Sequence, residues 1–155
     1  MYDVESHRST YLFPDSEYQI YEPRFSPDGR WLTFNARLGP ERTQGFAVDV
    51  FRASAVRKSD WVPVNEGRFW NEQPEWAPSG NLVYFESNRD GSLCIWAQRL
   101  DGTTKRVVGA PFPVYHSHSA SLVLEDFSCL ALDKMILSLE ENTSNIWMAE
   151  LERLN

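Results

Sequence analysis

The sequence lacks the features that mark several large protein classes. It has only two cysteines, Cys94 and Cys129, which make no disulfide framework or metal motif and are interpreted as small buried hydrophobes. No run of about 18 apolar residues occurs, so no membrane-spanning segment is expected. The first 20 residues contain no apolar core of a signal peptide, which leaves the compartment open: cytoplasmic for the chain as written, extracytoplasmic for a piece of a longer exported protein.

Basic residues are also few. Lys and Arg number 15 against 22 Asp and Glu, and the resulting net charge of −7 disfavours both nucleic acid and anionic membrane surfaces as partners. No Gly-x-Ser-x-Gly elbow, phosphate-binding loop, dinucleotide fingerprint or protein-kinase motif occurs. The sequence therefore predicts a protein that is not an enzyme and needs no cofactor.

What the sequence does contain is an internal repeat of 51 residues. Residues 23–34 align with residues 74–85, and the third copy keeps the Ile-Trp pair of the second at the same spacing. Three copies account for nearly the whole chain, which indicates a repeat architecture. The aligned turn residues of the first two copies are Pro23, Ser26, Pro27 and Gly29 with Pro74, Ala77, Pro78 and Gly80.

Each copy has the pattern of short β-strands separated by turns. In the second copy we predict strands at 74–76, 82–87, 93–99 and 112–115. In the first copy a long loop, 35–45, precedes a strand at 46–52. In the third copy we predict the end of a strand at 127–128 and further strands at 135–139 and 145–151. Four antiparallel strands in a repeat of this length are typical of a β-propeller blade, so the fold class is all-β.

The two ends of the repeat are complementary. Thr10 to Phe13 precedes Trp61 to Val64 by 51 residues and so corresponds to a fourth, outer strand, whereas the third copy lacks one. We expect one unit over 1–155, with repeats at about 14–64, 65–115 and 116–155. Propellers typically need about 4–8 blades, so three would be half of a six-bladed ring. Two chains would complete it by exchanging N-terminal strands, and the alternative is that the chain is the C-terminal half of a longer propeller.

The repeat resembles a known blade family. The segments Phe25-Ser26-Pro27-Asp28-Gly29 and Trp76-Ala77-Pro78-Ser79-Gly80, with Ser87-Asn88-Arg89-Asp90-Gly91 after them, are similar to the Ser-Pro-Asp-Gly repeat of TolB-type, WD-repeat-like propellers. The stretch to His118 also resembles propellers at the C-terminal end of some bacterial serine/threonine kinases. The resemblance implies a six-bladed ring that serves as a protein-interaction module.

The loops between the outer strand of one blade and the inner strand of the next are the candidate binding site. These loops, 14–22, 65–73 and 116–124, would lie on one face of a ring, and they carry residue types common in binding hot spots. The candidate binding residues are Tyr18, Tyr21, Arg68, Phe69, Trp70, His116 and His118.

His116 and His118 also support an alternative hypothesis, a metal-binding site. Alternate residues of an extended segment share a face, so both rings could reach one metal ion, with Glu125 and Asp126 as oxygen ligands. The leading hypothesis is a scaffold that binds a protein or peptide. A propeller that binds a small molecule or metal is the alternative, and an enzyme with scattered catalytic residues is a third.

Overall fold

The computed structural model describes residues 1–14, 17–51, 55–116, 118, 122–131, 133–141 and 143, with the backbone alone at 126–129. The described residues are all-β: they contain twelve strands, one 3₁₀ turn at Lys58–Asp60 and no α-helix. The predicted all-β class is therefore confirmed. The described part of the chain also offers no helix long and apolar enough to cross a membrane.

The strands form two hairpins and two four-stranded antiparallel sheets. A short N-terminal hairpin pairs β1 (Tyr2–Asp3) with β2 (Arg8–Ser9). The first sheet has the order β3 (Ile20–Phe25), β4 (Trp31–Gly39), β5 (Arg42–Asp49) and β6 (Val62–Pro63). The second sheet has the order β7 (Asn71–Trp76), β8 (Leu82–Ser87), β9 (Cys94–Leu100) and β10 (Val107–Tyr115). A last hairpin pairs β11 (Leu122–Leu130) with β12 (Met135–Glu141).

The repeat is visible in the backbone at a spacing of 51 residues. Gly29 and Gly80 both have a left-handed φ, at 67° and 69°, and each donates its N–H to the carbonyl three residues earlier. Glu22 and Gln73 are left-handed too, at 54° and 53°, each within a register shift of its inner strand. Glycine adopts this region freely, which explains its place in the two turns.

The two four-stranded sheets and the β11–β12 hairpin, which we call the third sheet, pack in series through apolar layers. A cluster between the first and second sheets includes Trp31, Ala47 and Trp76, and a cluster between the second and third includes Ile95 and Leu124. Trp31 and Trp76 thus lie between sheets. Large side chains on both faces of a sheet are what face-to-face packing of sheets requires.

The first strands of neighbouring sheets lie side by side. The guanidinium of Arg24 on β3 forms an ion pair with the carboxylate of Glu75 on β7, 51 residues later. The Gln73 N–H donates to the Glu22 carboxylate at 2.9 Å, and the Trp76 indole donates to the Arg24 carbonyl at 3.2 Å. Equivalent positions of consecutive repeats are therefore in contact.

The N-terminal segment does not form the predicted strand in this chain. Leu12 is buried on the far face of the first sheet, where its carbonyl accepts the Val56 N–H at 2.7 Å. Phe13 lies against Phe34 and Trp61, with ring centroids 4.9 and 5.8 Å away. The segment joins no strand ladder of the described residues, and the hydrogen bond to Val56 and these apolar contacts position it.

The prediction of a loop at 35–45 was wrong. Residues 35–37 pair with residues 43–45, so β4 and β5 extend to a tight turn at Pro40-Glu41. Buried Asn35 donates to the Glu22 carboxylate on β3 of the same sheet, and buried Thr43 donates to the Asn71 carbonyl on β7 of the second sheet, which lets polar residues continue the strands. The other predicted strands of the first two copies overlap observed ones. In the third copy 127–128 and 135–139 lie in β11 and β12, whereas 145–151 lies outside the described residues.

Candidate functional site

Three segments meet at one end of the second sheet, which we call the histidine end. They are the crossing loop 65–70, the β8–β9 hairpin loop 88–93, and His116 with His118, which follow β10. β9 pairs with both β8 and β10, so Cys94 lies opposite Ser87, and Ile95 lies opposite Tyr115. This pairing brings the hairpin loop beside the residues that follow β10.

Buried polar contacts fix the crossing loop to both sheets. The Asn71 side-chain amide donates to the carbonyls of Thr43, Glu66 and Phe69 at 2.8, 2.9 and 3.1 Å. The Asn65 side chain accepts the Gly45 N–H at 2.9 Å. Because Asn71 is fully buried and Asn65 nearly so, these bonds form away from water. Side chains on loop 65–70 are therefore presented from a fixed backbone.

The crossing loop and the hairpin loop share a stack of cations and aromatic rings. The guanidinium of Arg89 lies 5.4 Å from the ring centroid of Phe69, 5.3 Å from that of Phe85 and 5.0 Å from that of Trp96. Arg68 covers Phe69 at 4.8 Å. Ring faces attract cations, so Arg89 is held by aromatic surface while it is half-buried. Burial lowers the pKa of Arg89, and Glu66 partly opposes this effect.

Trp70 contacts the first sheet through a separate cation–π pair. The guanidinium of Arg37 lies 5.5 Å from the Trp70 ring centroid. The backbone N–H of Trp70 donates to the side-chain oxygen of Asn88 at 3.0 Å. Trp70 is half-buried. Its ring thus extends the cation–aromatic surface across the junction of the two sheets.

Both histidines converge on one carboxylate. Nε2 of His116 and Nε2 of His118 both contact Oδ2 of Asp90, the latter at 3.2 Å, and the two rings stand edge to face with centroids 4.5 Å apart. The His116 ring also contacts Trp96 at 5.9 Å, which joins the histidines to the stack. The side-chain Sγ of Cys94, which is fully buried, completes a group whose ligand atoms all lie within 4.8 Å of one another.

Asp90 is held in its charged form. Burial acts to raise the pKa of its carboxyl group, but hydrogen bonds from His116, His118 and the Ser92 backbone outweigh burial and lower it. Hydrogen bonds to a carboxylate favour the ionised state. Asp90 is therefore an anion at neutral pH and a competent ligand or hydrogen-bond acceptor.

Tyr18 and Tyr21 lie apart from the histidine end. The Tyr18 ring packs on Trp61 and under the ammonium of Lys58, which is 3.4 Å from its centroid, on the far face of the first sheet. Burial raises the pKa of the Tyr21 phenol, a hydrogen bond with Thr43 lowers it, and the nearby Glu72 raises it further. The structure thus brings together Arg68, Phe69, Trp70, His116 and His118 and leaves the two tyrosines elsewhere.

The sequence does not predict four residues of this end. It places Arg89, Asp90 and Trp96 in the repeat pattern and indicates only a buried hydrophobe at Cys94. Of the expected oxygen ligands, Glu125 accepts a hydrogen bond from Ser138 at 3.1 Å and does not join the cluster, and the side chain of Asp126 lies outside the described residues. The sequence signal for the cluster was Asp90, a carboxylate in the β8–β9 turn, followed after two strands by His116-x-His118.

Comparison with known proteins finds low sequence identity. No family model matches the chain. A protein of Agrobacterium fabrum described as uncharacterized is 27% identical over 95 residues, which is 61% of this chain and 30% of that protein. The matched region thus spans less than a third of the relative, whose full length is about twice that of this chain.

Proposed function

We propose that the chain is a non-catalytic β-propeller scaffold that binds a protein or peptide segment at the histidine end. The observation that carries the proposal is the continuous stack of Arg68, Phe69, Arg89, Trp96 and His116. Aromatic rings and arginines dominate the binding energy of protein interfaces. The TolB-type resemblance of the repeat supports the same assignment.

The fixed backbone of the crossing loop supports binding there. Asn65 and Asn71 hold loop 65–70 before any partner arrives, so little conformational entropy is lost when Phe69 and Trp70 are covered. The exposed Arg68, paired with Glu66 at 2.8 Å, places a charge at the rim. A half-buried aromatic centre with a polar rim is the usual anatomy of an interface.

We further propose that two chains form a six-bladed ring. Val64 packs between the first and second sheets, and Phe13, 51 residues before it, packs on the far face of the first sheet. The N-terminal segment thus occupies the position that the outer strand of a preceding blade would take. A partner's third sheet would supply the rest of that blade.

Exposed apolar surfaces on the first sheet and on the last hairpin support this assembly. Beside the N-terminal segment, a cavity of 810 Å³ is lined by apolar residues, among them Phe25 and Tyr11, which are exposed in the single chain. On the last hairpin, Val123 and Ile136 are exposed as well. A neighbouring blade would cover both surfaces, as ring closure requires. The length of the Agrobacterium relative would accommodate six repeats in one chain.

Selection from a displayed random-peptide library tests the binding function. We expect enriched peptides whose affinity falls about tenfold or more with Phe69→Ala or Arg68→Ala, which corresponds to about 1.4 kcal/mol. The matched controls are Phe51→Ala and Arg106→Ala, which remove an exposed aromatic and an exposed arginine outside the histidine end. The proposal fails if no peptide is enriched, or if the controls weaken binding as much as the test variants do.

A further inference from the structure

We propose that Asp90, Cys94, His116 and His118 form a binding site for a zinc-class transition-metal ion. The inference goes beyond peptide binding and does not depend on it. Each of the four residues offers one ligand atom, and the four atoms lie within 4.8 Å of one another. The ligand atoms of a tetrahedral zinc site, with bonds of about 2.0–2.3 Å, are about 3.3–3.8 Å apart.

The donor types select the ion. One thiolate, two imidazole nitrogens and one carboxylate oxygen are the ligands that zinc takes in proteins. Calcium and magnesium prefer oxygen ligands throughout, so this set discriminates against them. The chain thus presents mixed N, S and O donors from four side chains within one small volume.

The fold explains how the four ligands meet. The β8–β9 hairpin supplies Asp90 from its loop and Cys94 from the first position of β9, and the two histidines follow β10, the other neighbour of β9. Cys94 is fully buried, whereas the side chains of His116 and His118 are 43% and 47% exposed. The thiol therefore forms the floor of the site, and the exposed imidazoles are able to rotate the short distance needed to close on an ion.

The metal-free contacts are consistent with this role. Asp90 accepts contacts from both imidazoles at a single oxygen, Oδ2, so the two Nε2 atoms already point at a common centre. An ion bound between the two Nε2 atoms and Oδ2 would replace these hydrogen bonds by coordinate bonds. Its binding would release the Cys94 thiol proton to solvent, because the thiolate is the ligand.

Cobalt(II) titration of metal-free protein tests the proposal. We expect one cobalt per chain, with the intense visible bands of tetrahedral cobalt and a near-ultraviolet thiolate-to-cobalt band, and zinc should abolish both. Cys94→Ser should lose the thiolate band, and exposed His118→Ala should weaken cobalt affinity about tenfold or more. The matched control is His7→Ala, which removes the remaining histidine and should leave spectrum and affinity unchanged.

Three results would overturn the assignment. They are no cobalt uptake, a weak octahedral spectrum that is the same in wild type and Cys94→Ser, and an equal loss of affinity in His118→Ala and His7→Ala. Far-ultraviolet circular dichroism accompanies each variant, because Cys94 lies in the core. If Cys94→Ser does not fold, the comparison of His118→Ala with His7→Ala decides the outcome, since both of those side chains are exposed.

Discussion

At the scale of single residues, the histidine end joins four side chains that are far apart in the sequence, Asp90 and Cys94 with His116 and His118. His116 and His118 stood out because alternate residues share a face. Asp90 and Cys94 did not, because they precede the histidines by more than 20 residues and reach them only through the pairing of β9 with two neighbours. Such partners depend on strand register, which a local pattern does not reveal.

The core of the first sheet depends on Phe34. Its ring is fully buried and contacts the rings of Phe13, Phe46 and Trp61. We expect Phe34→Ala to lower the free energy of unfolding by about 3–5 kcal/mol, because it leaves a cavity among aromatic rings. Urea unfolding measures this change. Phe51→Ala, at a position 69% exposed, should stay within about 0.5 kcal/mol of wild type, and an equal effect of both variants would contradict the packing.

The Ser26–Gly29 turn should make stability depend on pH. Hydrogen bonds from the Ser26 hydroxyl and the Arg30 N–H lower the pKa of Asp28. A lowered folded-state pKa contributes stability above the ordinary value of about 3.8, and this contribution is lost as the pH falls through the lowered pKa. Wild type should therefore have a higher Tm than Asp28→Asn at pH 6, and the difference should close as the pH falls below about 4. A difference that is constant with pH would contradict this cause.

At the scale of elements, turn chemistry made the strand positions of the second copy predictable. Pro78 and Gly80 lie in the turn before β8, and Asp90-Gly91 lies in the turn between β8 and β9. The β4–β5 hairpin was mispredicted because Asn35 and Thr43 read as loop residues from sequence. Both are buried, and both are satisfied by hydrogen bonds to a neighbouring element, Asn35 to Glu22 and Thr43 to Asn71.

The crossing loop should depend on Asn71. We expect Asn71→Ala to cost about 2–3 kcal/mol, because three carbonyls lose the donor that holds residues 66–69. Amide hydrogen exchange should speed up selectively in loop 65–70. Asn81→Ala, at an exposed turn position of the opposite end, is the control and should leave exchange in that loop unchanged. Unaltered exchange in Asn71→Ala would show that other contacts fix the loop.

At the scale of the whole molecule, the repeat period predicted which residues of successive sheets would meet. The Arg24–Glu75 ion pair joins positions 51 apart, as the period requires. The period predicts an outer strand at Thr10 to Phe13, but a strand needs an open edge to pair with, and the segment joins no sheet among the described residues of the single chain. The proposed answer is the third sheet of a second chain.

The N-terminal segment provides a variant for this proposal. Leu12 is buried on the far face of the first sheet, so Leu12→Asp places a carboxylate in an apolar contact. We expect the variant to be monomeric at concentrations where wild type is dimeric. Val4→Asp, at a position 75% exposed, is the matched control and should stay dimeric. If both variants form dimers equally well, the N-terminal segment is not part of the interface.

The solution mass of the wild-type chain tests the proposed ring most directly. Size-exclusion chromatography with light scattering should give twice the chain mass of 17.9 kDa, because three blades do not close a propeller and six do. A mass of 17.9 kDa that persists as the protein concentration is raised would contradict the two-chain ring.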